Sequence, residues 1–315
     1  MKKKKEFIVL PLIVLILCLT INFIHAQSPS LSVGVSPTSE KLTLDLEEEY
    51  FGEIVFWNLS EDTTTYKIAV SGFKQVENMP GTSIVLTEEE DALSLYSASS
   101  WFELEKEEIE LVPNKNIKVQ YTITVPLDAT NGEYNAEVFL LSEEYDSQVD
   151  STYASTILGS GVPILIKIGD EYIESAELLS FTVNKKIYEF PDVIFTTKIK
   201  NLGNTHISPI GEISITNIFG QEIDRIKFND SSQSLLRENS GIYEDEWYNK
   251  ALLSSENEIM FGPMTANLVS TYRSISPGFA PLVAETTFWI IPWKILLGIL
   301  LAIVLFILIL KKKKK

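Results

Sequence analysis

From Ile117 to Val125 every odd position is apolar or aromatic and every even position is polar: Ile117-Lys118-Val119-Gln120-Tyr121-Thr122-Ile123-Thr124-Val125. A period of two sustained over this length predicts a half-buried β-strand. Pro126 ends it, and residues 128–132 have turn chemistry. Tyr134, Ala136, Val138 and Leu140 then alternate with Glu133, Asn135, Glu137 and Phe139, which predicts the next strand with one apolar exception. Shorter β-branched or aromatic runs precede these at 31–35, 42–46, 53–57 and 65–70, and another follows at 162–168. The same texture resumes at 176–183, 193–201, 211–217, 222–228, 241–247, 264–272 and 282–290, with hairpin turns predicted at Asn201-Leu202-Gly203-Asn204 and Asn217-Ile218-Phe219-Gly220-Gln221. Many short strands separated by turn signals predict an all-β protein of two tandem immunoglobulin-like β-sandwiches, over 27–170 and 171–290. The join at Gly169-Asp170-Glu171 is short, so the sandwiches are expected to be coupled.

The alternation fails in three places. Between Phe73 and Ser100, Asn78-Met79-Pro80-Gly81 signals a turn and Thr87 precedes Glu88-Glu89-Glu90 as the cap of a short helix. That stretch reads as a long loop inserted between strands, either a binding loop or a passive edge cover. At the N-terminus, Lys2 to Lys5 precede an uncharged run from Phe7 to Ile24 and then Ile24-His25-Ala26, a small-residue site. This is the form of a signal peptide over 1–26, cut between Ala26 and Gln27; an uncleaved signal anchor is the alternative. A lipoprotein signal fits poorly, because Leu17 rather than a small residue precedes Cys18. At the other end, residues 291–310 are long and apolar enough for a transmembrane helix, Trp289 and Trp293 suit an outer interface, and Lys311 to Lys315 form a cytoplasmic tail. Lys294 can snorkel beside Trp293. The implied arrangement is a single-pass plasma-membrane protein with an extracellular ectodomain and a cytoplasmic C-terminus.

Charge and cysteine usage sharpen this. The chain of 315 residues has a formal net charge of −17, and with both terminal lysine clusters and Lys294 set aside the remainder is still more acidic. Such a field opposes nucleic acid and anionic headgroups and favours solubility or basic partners. Cys18 is the sole cysteine, so the mature ectodomain has no disulfide and must rely on burial. Absence of disulfides, with a Lys, Ile, Glu and Asn bias, points to a bacterial or archaeal surface protein.

Catalytic raw material is thin. His206 is the only histidine beyond the targeting segment, which is too little for a typical zinc site, and no nucleophile-elbow pattern accompanies it. The runs Glu47-Glu48-Glu49 and Glu88 to Asp91 lack the spaced ligands and bend glycine of a calcium loop and read as solvated acidic faces. No cofactor is implied. Trp57 and Trp247 lie on predicted strands, where packing is the default. Trp101-Phe102 follows the long insertion and is the candidate ligand-binding pair, as rings on which a sugar could stack, with core packing as the alternative. Asn58-Leu59-Ser60 and Asn229-Asp230-Ser231 match the glycosylation triplet.

Several stretches resemble a known family. Val35-Ser36-Pro37-Thr38-Ser39-Glu40-Lys41-Leu42-Thr43-Leu44-Asp45-Leu46, the run 52–58, Leu111-Val112-Pro113-Asn114 leading into the Ile117 strand, Val125-Pro126-Leu127-Asp128-Ala129-Thr130 and Ser160-Gly161-Val162-Pro163-Ile164 resemble the N-terminal domain of the WxL-interacting surface proteins of bacteria. The resemblance implies a peptidoglycan-binding-type sandwich, a second sandwich that engages partner surface proteins, and a C-terminal membrane anchor. It assigns no binding residue here. The function it suggests is a membrane-anchored cell-surface binding and scaffold protein that contacts cell-wall glycan or peptidoglycan and other surface proteins, and is not an enzyme. Two alternatives stand beside it: a carboxylate-based glycan hydrolase, and an accessory that donates sandwich-edge strands to secreted proteins during assembly.

Overall fold

Alternating side chains need two apolar faces to close on one another, and the chain does this twice. The structure, a computed structural model, describes residues 33–142, 161–248, 260–272 and 281–313; the expected signal segment, with its expected cut between Ala26 and Gln27, lies outside the described residues. The described residues belong to one compact unit.

The first sandwich contains β1 (Val33–Ser36), β2 (Glu40–Leu44), β3 (Glu49–Asn58), β4 (Thr64–Ser71), β5 (Phe73–Gln75), β6 (Ser83–Val85), α1 (Glu88–Leu93), β7 (Phe102–Leu104), β8 (Glu108–Leu111), β9 (Asn116–Thr124), β10 (Gly132–Ser142) and β11 (Gly161–Ile168). Its sheets run β1-β3-β9-β7 and β2-β11-β10-β4-β8, with β5-β6 as a separate hairpin. The second contains β12 (Ala176–Val183), β13 (Ile187–Tyr188), β14 (Asp192–Asn201), β15 (Ile210–Asn217), β16 (Glu222–Phe228), β17 (Ser240–Tyr248), β18 (Gly262–Thr271) and β19 (Pro281–Ile290), in sheets β12-β14-β17 and β13-β19-β18-β15-β16.

The two orders are one topology. In each sandwich the first strand is broken: β1 pairs antiparallel with β3 while β2 runs parallel to β11, and likewise β12 pairs with β14 while β13 runs parallel to β19. The differences are that the first sandwich carries the β5-β6-α1 insertion and, after it, the extra edge strand β7 beside β9.

Inward positions of β3, β9, β10 and β11 bury Ile54, Phe56, Val119, Tyr121, Ile123, Val138, Leu140, Ile164 and Ile166. Trp247 and Phe195 pack edge-on against Phe288 in the second core, with centroids 6.1 and 6.0 Å apart. Burying each such side chain stabilises by about 1.5–3 kcal/mol. Trp57 departs from the packing expected of it: it alternates with buried Phe56, so it sits on the opposite pleat of β3 and is half-buried. Gly52 faces Tyr121 across the β3–β9 pair, and a Cβ there would fall 2.1 Å from the Tyr121 ring. The glycine leaves room for Tyr121, whose hydroxyl donates to Glu40 on β2.

The insertion is more ordered than a loop. Thr87 caps α1 as its position predicts: its hydroxyl accepts the Glu90 amide at 3.3 Å and Glu90 accepts the Thr87 amide at 3.2 Å, a reciprocal capping box. The hairpin β5-β6 lay hidden because each strand has three residues, too few to show a period.

β19 passes through Ile291 and Pro292 into α2 (Trp293–Lys313), one helix long and apolar enough to cross a membrane. The Ile291 amide donates to Tyr188 O at 2.7 Å, and Lys294 Nζ lies 2.8 Å from Glu189 Oε2, so the helix start is tied to the second sandwich.

Candidate functional site

Where the sandwiches meet, buried charge from one is satisfied by the other. Glu133 occupies an outward position of β10, opposite Lys167 of β11, yet is only 3% exposed because the 204–206 turn of the second sandwich covers it. Its carboxylate accepts from the His206 amide at 3.1 Å, from the Thr205 hydroxyl at 3.0 Å and from His206 Nδ1 at 2.5 Å. Lys41 of β2 reaches the other ring nitrogen, Nε2, at 3.0 Å. An ammonium only donates, so Nε2 accepts and the ring proton sits on Nδ1, directed at Glu133. Burial pushes the Glu133 carboxyl up, but the bonds donated by His206 and Thr205 outweigh it and hold the group below the usual carboxylate range.

The turn presenting His206 is held by Asn201 at the end of β14. Asn201 Oδ1 accepts the Gly203 amide at 2.8 Å, and its Nδ2 donates to Thr205 O and Leu235 O at 2.8 and 3.1 Å. Asn58, at the end of the equivalent strand β3, does the same with the Ser60 amide, Asp62 O and Leu111 O. Asn58 is therefore 3% exposed and bonded, and Asn229 is 4% exposed with Nδ2 on Pro209 O and Gln233 O. Both amide nitrogens are engaged in turn structure, contrary to the surface exposure their glycosylation triplets suggest.

The insertion braces the same seam. Gln75 on β5 is 6% exposed; its Nε2 donates to Ser240 O at 2.9 Å and its Oε1 accepts the Leu236 amide at 3.1 Å. The hairpin tip adds Gly81 N to Ser234 O at 2.8 Å and Ile242 N to Asn78 O at 2.9 Å. Arg237 lies 3.7 Å over the Tyr96 ring, and the Tyr96 hydroxyl donates to Glu238 at 3.0 Å. Between β2, β11, the hairpin and the 231–236 loop a cleft of about 360 Å³ remains, with Lys41, Phe73 and Leu165 among its walls.

The sequence-predicted residues fall elsewhere. Trp101 packs obliquely on Tyr134, centroids 4.7 Å apart, and Phe102 stacks on Tyr121 at 5.5 Å; both are half-buried. Asp91 of the acidic run is structural, accepting from the Gly72 amide and the Ser97 and Ser99 hydroxyls. Among the described residues no group of three His, Cys, Asp or Glu side chains is placed to hold a metal ion.

Fold and seam together define a class: an all-β unit of two immunoglobulin-like sandwiches clamped at a polar interface. No protein-family model matches the chain, and no curated protein matches it in sequence. Solved structures with fold similarity include the class 5 fimbriae chaperone CfaA, at 13% identity over 81% of this chain and 98% of that one, TM-score 0.37. The Pseudomonas aeruginosa CupB2 chaperone aligns at 8% identity over 80% and 98%, TM-score 0.36. The E. coli chaperone DraB aligns at 9% identity over 81% and 98%, TM-score 0.36.

Proposed function

We propose that this chain is a membrane-anchored surface binding and scaffold protein that holds two rigidly coupled sandwiches outside the membrane and presents them to other surface proteins and to envelope glycan. The observation that carries this is the continuity of β19 with α2 across only Ile291 and Pro292, reinforced by the Lys294–Glu189 pair. A binding unit mounted so close to its anchor, and braced between its halves, keeps a defined orientation. The basic cluster Lys311 to Lys315 belongs on the cytoplasmic side. The role we propose is binding rather than catalysis, a reading supported at the seam by the buried carboxylate Glu133, which is engaged by His206 and Thr205. The glycan contact rests on the resemblance of the first sandwich to the WxL-interacting proteins.

The test of the glycan part is sedimentation of the detergent-solubilised full chain with purified peptidoglycan sacculi. Retention in the pellet at both low and high salt is expected. Protein left wholly in the supernatant removes glycan and leaves surface proteins as the partners.

A further inference from the structure

The shared topology of the sandwiches exposes a place where they differ. In the first, β7 lies against β9 with Phe102 opposite Ile123, Glu103 opposite Thr122 and Leu104 opposite Tyr121. In the second, β17 takes the place of β9 and, among the described residues, pairs with β14 on one side only. The insertion that leads into β7 has no counterpart there, since β15 turns straight into β16 through residues 218–221. Ile242 N donates to Asn78 O, so even-numbered residues of β17 turn their backbone groups away from β14. Beyond Ile242, the outward groups of Glu244 and Glu246 meet no strand among the described residues.

The vacancy is a built groove of about 700 Å³ between β17 and the β16 side, including Lys227, Asn229, Asp230, Tyr243 and Asp245. Asn78 bounds one end, and the Trp247 Nε1–Asp224 bond, 2.7 Å, bridges β17 to β16 toward the other. Two polar atoms there are buried without partners: the hydroxyl of Tyr243, a residue 2% exposed, and Oδ2 of Asp245, whose Oδ1 already takes the Asn229 amide at 2.9 Å. A buried unpartnered polar group is costly unless something supplies its bond. Residues 243–246 offer roughly 13 Å of edge at about 3.3 Å per residue, enough for a strand as short as β7.

We propose that the open edge of β17 is a strand-docking site for an extended, lysine- or arginine-bearing segment of a partner protein, seated where β7 sits in the first sandwich. The segment completes the three-stranded sheet through the outward backbone groups of Glu244 and Glu246. Its inward side chain donates to Asp245 Oδ2 and meets the Tyr243 hydroxyl. Its basic side chains face Glu244 and Glu246, since Asp230 is already paired with Lys227 at 2.7 Å, and this charge favours them over an acidic strand. The site stands on the geometry of the second sandwich, and the choice of a protein as occupant rests on the binding role proposed above.

The test uses the full chain in nanodiscs and, as probe, a fluorescent octapeptide of alternating threonine and lysine, whose hydroxyls and ammonium groups fall on opposite faces, with a threonine–glutamate octapeptide as control. Residue-resolved hydrogen exchange should show fast amides at Glu244 and Glu246 and slow ones at Tyr243 and Asp245 in the free protein. The lysine peptide should slow the first pair and bind with saturable anisotropy. Glu244→Pro removes an outward N–H without touching the β14 ladder and should weaken binding at least tenfold; Glu246→Pro is the second variant should the first misfold. Three results overturn the site: protection of Glu244 and Glu246 before peptide is added, no protection after it, or equal binding by the proline variant or the glutamate peptide. Any of these with sacculus binding intact removes the docking site and leaves the scaffold reading standing.

Discussion

His206 shows how a residue that looks idle in one dimension becomes central in three. It lies 73 positions from Glu133 and 165 from Lys41, and no local pattern links residues so far apart. The legible hint was an acidic residue at an otherwise ordinary outward strand position, which is uninformative until a second sandwich covers it. Because the Glu133 carboxyl is held low in the fold, its contribution to stability is present above the ordinary carboxylate range and is lost as pH falls through its folded value. His206→Ala removes the Nδ1 donor from a buried carboxylate that keeps the residue-206 amide and the Thr205 hydroxyl, and is expected to cost about 2 kcal/mol at pH 7. The loss should shrink on acidification, as denaturant unfolding at pH 7 and pH 4 would show. Asp245 has the opposite sign: burial pushes it up to about 6, so charging it destabilises the fold as pH rises from about 4 toward 6. Asp245→Asn keeps an acceptor for the Asn229 amide and should raise the melting temperature at pH 7.5, with the gain falling away below pH 6.

At the scale of elements, alternation exposed the long strands because each has one dry face. β9, β10 and β14 to β19 begin and end close to where the pattern places them. β7, β8 and β13 have three, four and two residues and carried no readable period. The Asn-Leu-Ser at the end of β3 and Asn-Leu-Gly at the end of β14 form a turn device that recurs with the shared topology; the second is not the hairpin turn its residues suggest, because β14 and β15 lie in different sheets. The three-residue strands of the β5-β6 hairpin escaped for the same reason as β7, and the buried Gln75 side chain that gives the hairpin its role serves the other sandwich. Gln75→Ala would strand the Leu236 amide and Ser240 carbonyl, at a cost of about 1–3 kcal/mol. Calorimetry should then resolve the single unfolding transition of the clamped pair into two, one for each sandwich. A single transition with unchanged enthalpy would assign the coupling to the Glu133 cluster alone.

For the whole molecule the consequential feature is where the acidic body meets its apolar helix. Trp289 and Trp293 are 49% and 54% exposed at that junction, beside Lys294, and Phe190 and Phe261 are 39% and 50% exposed. Tryptophan and lysine at this point match the chemistry of a membrane interface, where an amphipathic ring and a snorkelling ammonium both find partners. The other tryptophans, Trp57, Trp101 and Trp247, belong to the sandwiches, with Trp247 fully buried. In vesicles of brominated lipid, fluorescence from Trp289 and Trp293 should therefore be quenched and that from the other three spared. Replacing Trp289 and Trp293 by phenylalanine should abolish the quenchable fraction. Protease added outside should digest the sandwiches and spare a tag placed after Lys315. If the tag is cut while the sandwiches survive, the helix is inverted, and the acidic unit that is proposed to face other surface proteins lies on the wrong side of the membrane to meet them.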